Sequence, residues 1–481
     1  TKETYSSLFI GIVVGALLAT DFSPIGALDT IINDGLTAAI AVNAGIFLFL
    51  VILGVMVALV NATGGSAAFG RWAASHIHSK AGALLATFAL GVLIFIDDYF
   101  NCLTVGSVMT PVTDSQRISR VKLAYLIDAT AAPICMIAPI SSWAAAVSGV
   151  AAKLDTGVSG IQLFIEAIPY NFYSLLTIVF VITMVVLGVD YGPMAAAELK
   201  AAQTGDLGAL SEEQEEGSSR ANMWDMLIPI ILLIIFCVIG LIYVGGFWDP
   251  ETNAGDFIAA FGDTDAFVGL PWGALIALVL SIIYLCARRV ITFKGAMGCM
   301  TKGFNAMVPA ILILTFAVSL KSMTGLLGAA DYVEGLMKQA SEGLFMLLPA
   351  IIFVVACLLA FATGTSWGTF GILIPIVLPI FNAAPDLQIM GISACLAGAV
   401  CGDHCSPISD TTIMASAGAN CNHIDHVSTQ IPYAVTVAAI CFVNYILAAF
   451  IRNVVISLAI GVVMVIGTLL VIRSVQSRKT A

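Results

Sequence analysis

Leu227–Val244 holds no charged residue, and Ile46–Val60 with its flanks is equally apolar. Either stretch is long enough to cross roughly 30 Å of hydrocarbon. Backbone placed in lipid must satisfy its own hydrogen bonds, and a helix does so within one segment. Such stretches recur along all 481 residues, of which 60% are hydrophobic and 10% charged, against about 25% charged in a soluble domain. The chain reads as an all-α polytopic membrane protein. Leu8–Thr20 has few cations before it and no clear cleavage site, so it is expected to be a first helix and not a cleaved signal. Most of the eleven cysteines, among them Cys135, Cys237, Cys286, Cys357, Cys395 and Cys441, lie in apolar segments and are expected as buried small side chains. The net charge of −11 comes mostly from loops, and no basic patch interleaved with aromatics points to nucleic acid.

Lysine and arginine separate the loops into two sets. Lys153, Lys321, Lys338 and Arg452 fall in one, and the rest of the 19 cations, including Lys80, Arg117, Arg120, Lys122 and Lys302, in the other. The richer set is expected in the cytoplasm, with both termini. Residues 82–113 are then flanked by cytoplasmic loops yet are shorter than the roughly 40 residues that two crossings need. They predict a re-entrant hairpin with its tip near Ile96–Cys102, and residues 345–381 predict a second from the opposite face, with its tip near Thr363–Gly368.

The hairpins also align. "FNCLTVGSVMTPV" (Phe100–Val112) matches "GTSWGTFGILIPI" (Gly364–Ile376), and "TAAPICMIAPISS" (Thr130–Ser142) matches "HCSPISDTTIMAS" (His404–Ser416). Two units of opposite topology with proline-broken helices are the sequence mark of a secondary transporter whose site lies near the midplane, and they disfavour a channel. About ten transmembrane helices plus two re-entrant hairpins are expected. An N-terminal helix and external loop (1–35) precede the first inverted repeat (36–189), which holds hairpin 82–113 and broken helix 122–150. A polar cytoplasmic linker (190–225) and two connecting helices (226–302) lead to the second repeat (303–451), with hairpin 345–381 and broken helix 390–420; a C-terminal helix and tail (452–481) follow.

Pro133, Pro139 and Pro407 free backbone groups inside the membrane, where only protein, water or an ion can meet them. Hydroxyls beside the breaks, Thr130, Ser141 and Ser142 in one half and Ser406, Ser409, Thr411 and Thr412 in the other, suit an oxygen cage for Na+. The tips add Asn101, Thr363, Thr365 and Ser366. Carboxylates at membrane depth are Asp97, Asp98, Asp128, Asp403 and Asp410; such groups are functional candidates because an unpaired charge there is costly. Asp98, Asp128 and Asp410 stand nearest the breaks. A carboxylate that loses its cation takes up a proton, which is the physical core of cation exchange. His404 is a candidate polar neighbour or proton relay. Cys401, His404 and Cys405 are of ligand type, but Cys421 and His423 complete no familiar zinc spacing, so no zinc is expected. "GTSWG" matches a nucleophile elbow without its strand, and "DDY" and "VCGD" depart from the intramembrane aspartyl protease signature; no enzyme is expected.

"DDY" (Asp97–Tyr99), "DATAAP" (Asp128–Pro133), "GTSWGT" (Gly364–Thr369) and "GDHCSPISDTT" (Gly402–Thr412) resemble the NhaC family of bacterial Na+/H+ antiporters, over roughly residues 5–455. The resemblance implies the ion transporter superfamily fold, with a dimerising scaffold domain and a mobile transport domain moving as an elevator in the bacterial cytoplasmic (inner) membrane. It implies Na+ bound between each tip and its broken helix, no cofactor beyond this coupling ion, H+ as the exchanged ion, lipid bilayer and a second copy of the chain as partners. Members of that family also resemble carriers of organic acids or amino acids. The alternative is therefore a Na+-coupled transporter of a small amino acid or carboxylate, with Trp143 and Trp367 as pocket walls or as interface packing.

Overall fold

Capping side chains decide where the apolar stretches begin. The computed structural model describes residues 4–95, 98–139, 141–151, 160–210, 220–328, 346–381 and 385–480. Asp97, Lys153, Lys338 and the acidic run at 211–219 lie outside the described residues. Helix α1 (Thr4–Ala19) leads to α2 (Pro24–Thr30), a π-helical segment (Ile31–Thr37) and α3 (Ala38–Thr63). Ser23 opens α2 by accepting from the Gly26 amide, and Pro24 sits at its start, where no amide is needed. Pro24–Thr63 is thus one apolar helical run, where a loop was expected up to residue 35.

After α4 (Gly65–His76) come two short helices, α5 (Lys80–Leu93) and α6 (Asp98–Ser115), and then a broken one. Its pieces are α7 (Arg120–Thr130), the single turn α8 (Ala132–Cys135) and α9 (Ser142–Ala151). The chain next forms α10 (Gly160–Ala167), α11 (Phe172–Leu187) and α12 (Gly192–Thr204). Four helices connect the halves: α13 (Trp224–Val244), α14 (Phe257–Gly262), α15 (Ala266–Ala287) and α16 (Phe293–Leu326). The second half repeats the order of the first. Two short helices, α17 (Leu348–Thr363) and α18 (Ser366–Ile380), precede α19 (Pro385–Cys405) and α20 (Asp410–Gly418), which are bent by 50° at their break. The chain closes with α21 (His423–Ile451) and α22 (Val454–Thr480).

Among the described residues six helical runs are long and apolar enough to cross a bilayer unaided, and α19–α20 makes a seventh. The sequence count of about ten also took in α1, which is short, α16, which carries Lys294, Lys302 and Lys321, and the segment that the backbone divides into α7, α8 and α9. The chain is a multi-pass membrane protein.

Two charges that the sequence places in loops are docked instead. Within the expected linker 190–225, α12 is packed down: Glu198 is buried, pairs with Lys80, and accepts from the Ser119 amide (2.8 Å) and hydroxyl (2.6 Å). Lys122 is 1% exposed. It pairs with Asp190, which also accepts from the Tyr433 hydroxyl at 2.7 Å, and its ammonium lies 5.3 Å from the Tyr433 ring centre.

Close glycine contacts hold α20 at its far end and the break that precedes it. At Gly106 of α6 a Cβ would lie 2.3 Å from the Gly418 backbone, so only glycine lets these helices cross so closely. At the α17–α18 junction Gly364 has φ +64°, and a Cβ there would fall 2.4 Å from the Ile408 carbonyl oxygen. Gly106→Leu is expected to cost about 1–3 kcal/mol by overpacking, seen as a lower melting midpoint in detergent. Gly298→Ala, with nothing within 4 Å of its Cβ and inside α16, should not lower the midpoint and should raise it slightly, since alanine is the better helix residue. Lys122→Met strands the half-buried Asp190 carboxylate and should cost about 1–3 kcal/mol, whereas Lys122→Met/Asp190→Leu should recover most of that loss.

Candidate functional site

Proline 407 has no amide to donate, and the α19 helix stops two residues earlier. The freed groups are bonded one by one. The His423 Nε2 donates to the Pro407 carbonyl (2.8 Å), and the Ser406 hydroxyl donates to the Phe361 carbonyl of α17 (2.8 Å). Ser409 then starts α20 by accepting from the Thr412 amide at 3.3 Å.

Around this break lie three buried carboxylates. Asp410 accepts from the Thr411 amide (2.8 Å) and from the Tyr99 hydroxyl of α6. Asp403 accepts from the Thr411 hydroxyl at 3.0 Å, and its Oδ1 meets no hydrogen-bond donor among the described residues. The Thr411 and Ser409 hydroxyl oxygens are 3.1 Å apart. The Thr412 hydroxyl lies 3.2 Å from Asp128 Oδ2 and 3.4 Å from the Asp403 carbonyl, linking the break to α7. Asp128 also accepts from Gln430 Nε2 at 2.6 Å, with His426 Nε2 at 3.4 Å and His404 Nε2 at 3.7 Å. Gln430 gives its second N–H to the His404 carbonyl (2.7 Å), so one amide ties α21 to both broken helices.

The His404 ring has a definite polarity. Its Nε2 lies 3.0 Å from the Asp128 carbonyl oxygen, which can only accept, so Nε2 carries the proton. In the neutral ring Nδ1 then accepts from the Tyr173 hydroxyl of α11, 3.1 Å away. Both nitrogens are thereby engaged, one by Asp128 and one by Tyr173.

The remaining candidates form two other groups. Asn101 donates to the carbonyls of Gly91 (2.7 Å), Ile94 (3.0 Å) and Thr130 (3.1 Å), at the C-terminal ends of α5 and α7 where carbonyls lack helical partners. Thr130 therefore contributes its backbone; its hydroxyl turns back to Leu126. The Ser141 hydroxyl donates to the Cys135 carbonyl and caps α9. Beside it Ser142 and Trp143 are buried, and Trp143 packs edge to face on Trp367, 5.9 Å between ring centres. Thr365 caps α18 through the Gly368 amide, and Ser366 donates to the Ala399 carbonyl at 3.3 Å. The Thr363 hydroxyl is used within its own helix, on Leu359. Asp98 is buried at the start of α6 and accepts from the Tyr99 amide.

The structure brings Asp128, Asp403, His404, Ser409, Asp410, Thr411 and Thr412 together around the α19–α20 break. Sequence reasoning missed Tyr99, Tyr173, His426 and Gln430. The last two stand four residues apart on one face of α21, within its polar opening turns that also hold His423, Asp425, Ser428 and Thr429, and that spacing was readable.

Residues 134–450 match the profile of the Na+/H+ antiporter family. A Haemophilus influenzae protein described only as uncharacterized is 36% identical over 466 residues, spanning 94% of this chain and 88% of its own length. The arginine/ornithine antiporter ArcD of Halobacterium salinarum is 26% identical over 239 residues, 49% of this chain and 44% of its own. The malate-2H+/Na+-lactate antiporter of Bacillus subtilis is 26% identical over 198 residues, 41% of this chain and 42% of its own. The matched family and the two relatives with named activities are transporters and not enzymes, and the chain belongs to the Na+/H+ antiporter family.

Proposed function

We propose that the chain exchanges Na+ for H+, with the two cations competing for the carboxylate cluster around Asp403 and Asp410. The observation that carries this reading is the Asp403 Oδ1, buried without a donor next to a second buried carboxylate and two hydroxyl oxygens. An ionised carboxylate inside a membrane is costly unless a cation or a proton meets it. One oxygen-lined site that must be neutralised by either ion couples their movements. The repeated order of a short helix pair followed by a broken helix supports re-entrant hairpins and alternating access, with an elevator motion of the unit that holds them.

A second reading keeps the sodium site and adds a small organic solute. It is favoured by the relatives, whose names are those of exchangers of arginine and ornithine, and of malate and lactate.

The test is Na+-driven pH change in proteoliposomes with an entrapped pH dye. Asp403→Asn and Asp410→Asn are each expected to slow it at least tenfold, about the 1.4 kcal/mol that one charged contact supplies. Cys401→Ser should run at the wild-type rate. Intact exchange in both asparagine variants would sink the assignment.

A further inference from the structure

The two halves build one kind of junction with opposite chemistry. In the first, the opening turn of α6 meets that of α20 through Tyr99 and Asp410, and Cys102 Sγ lies 3.7 Å from the Thr411 carbonyl. Both opening turns carry a carboxylate, Asp98 and Asp410. In the second, the opening turn of α9 meets that of α18 through the Trp143 and Trp367 rings. Neither of these turns holds an acidic residue. Their sequences nearly repeat, Ser141-Ser142-Trp143 and Thr365-Ser366-Trp367. Their caps match as well, with Ser141 accepting from Ala144 and Thr365 from Gly368, each at 3.2 Å.

This second junction holds unused donors. Trp143 Nε1, Trp367 Nε1 and the Ser142 hydroxyl are all buried, and none meets a hydrogen-bond partner among the described residues. Ser142 and Trp143 are 0% exposed. An indole N–H can only donate, so what it lacks is an acceptor. Buried polar groups in native structures almost always have partners, which makes three such groups in touching turns a demand for one. Two helix N-termini bring partial positive charge to the same place, with no side-chain carboxylate in either turn to oppose it. Phe370 lies 5.8 Å from the Trp143 ring centre and Phe267 6.2 Å from that of Trp367, so the surroundings are apolar and aromatic.

We infer that this junction is the subsite for the carboxylate group of a small organic solute, held by Trp143, Trp367 and Ser142 with the solute's apolar body against the rings. The inference rests on the second reading above and gives the two junctions complementary ligands: a cation where the opening turns bear aspartates, a carboxylate where they bear tryptophans.

The test measures the melting temperature of the purified full chain in detergent, at constant NaCl, across 2-hydroxy and 2-amino carboxylates (lactate, malate, alanine, arginine) and the carboxylate-free lactamide and alaninamide. Na+-driven exchange is followed on the same preparation. At least one carboxylate should raise the midpoint saturably, as binding to the folded state requires, while the amides should not. Trp143→Phe and Trp367→Phe keep a ring but remove the donor, and each should weaken that binding about tenfold. If either melts without a cooperative transition, Ser142→Ala takes its place with the same expectation. Carboxylate binding without Na+-driven exchange would support this subsite and refute the sodium–proton reading. Exchange with no carboxylate response, or variants that bind like the wild type, would overturn the subsite and leave the exchange reading standing.

Discussion

Keeping three carboxylates buried inside a membrane is the constraint that arranges this fold. Asp128, Asp403 and Asp410 come from α7, α19 and α20, and each reaches donors on other elements. Tyr99 comes from α6, and Gln430 and His426 from α21. The helix breaks exist to bring these groups inward. An unbroken α19–α20 would satisfy its own backbone and point Asp403 and Asp410 along one rod; with the 50° bend Thr411 serves both, its hydroxyl donating to Asp403 and its amide to Asp410. The cost of each break is offset locally, by His423 on the Pro407 carbonyl and by Ser406 on α17.

The same economy of backbone groups explains why the short helix pairs sit where they do. Asn101 collects three carbonyls from the ends of α5 and α7, which would otherwise be bare in an apolar setting. At the other pair Gly364 turns through a positive φ so that the backbone of the tip can lie on Ile408. Either tip is thereby fastened to the broken helix of its own half, and α6 is fastened to α20 of the other half as well through Tyr99 and Gly106.

Much of this was legible because membrane insertion makes polar residues conspicuous. Proline and hydroxyl clusters marked both breaks, and buried aspartates stood out against long apolar runs. The family followed from the residues of those same breaks, and the profile match agrees with it. What was not legible needed three dimensions. Lys122 looks like one more cation beside Arg117 and Arg120, and only its folding onto Asp190 and Tyr433 reveals it as buried. Glu198 similarly reads as solvated until α12 docks on Ser119. Thr130 and Thr363 were chosen for hydroxyls that turn out to bond within their own helices, the usual competition of threonine with the preceding turn. His404 was recognised as polar, but which groups hold its ring could be found only from α7 and α11.

One helix has a bearing on the surrounding lipid. α16 covers Phe293–Leu326, which at 1.5 Å per residue is about 51 Å, well beyond a hydrocarbon layer of about 30 Å. Its lysine positions 302 and 321 stand about 28 Å apart along the axis. A helix with cations at that spacing matches one bilayer thickness when upright, and must tilt, or thin the lipid beside it, in any other. Were α16 to cross the bilayer despite its lysines, its tilt would follow the membrane's thickness.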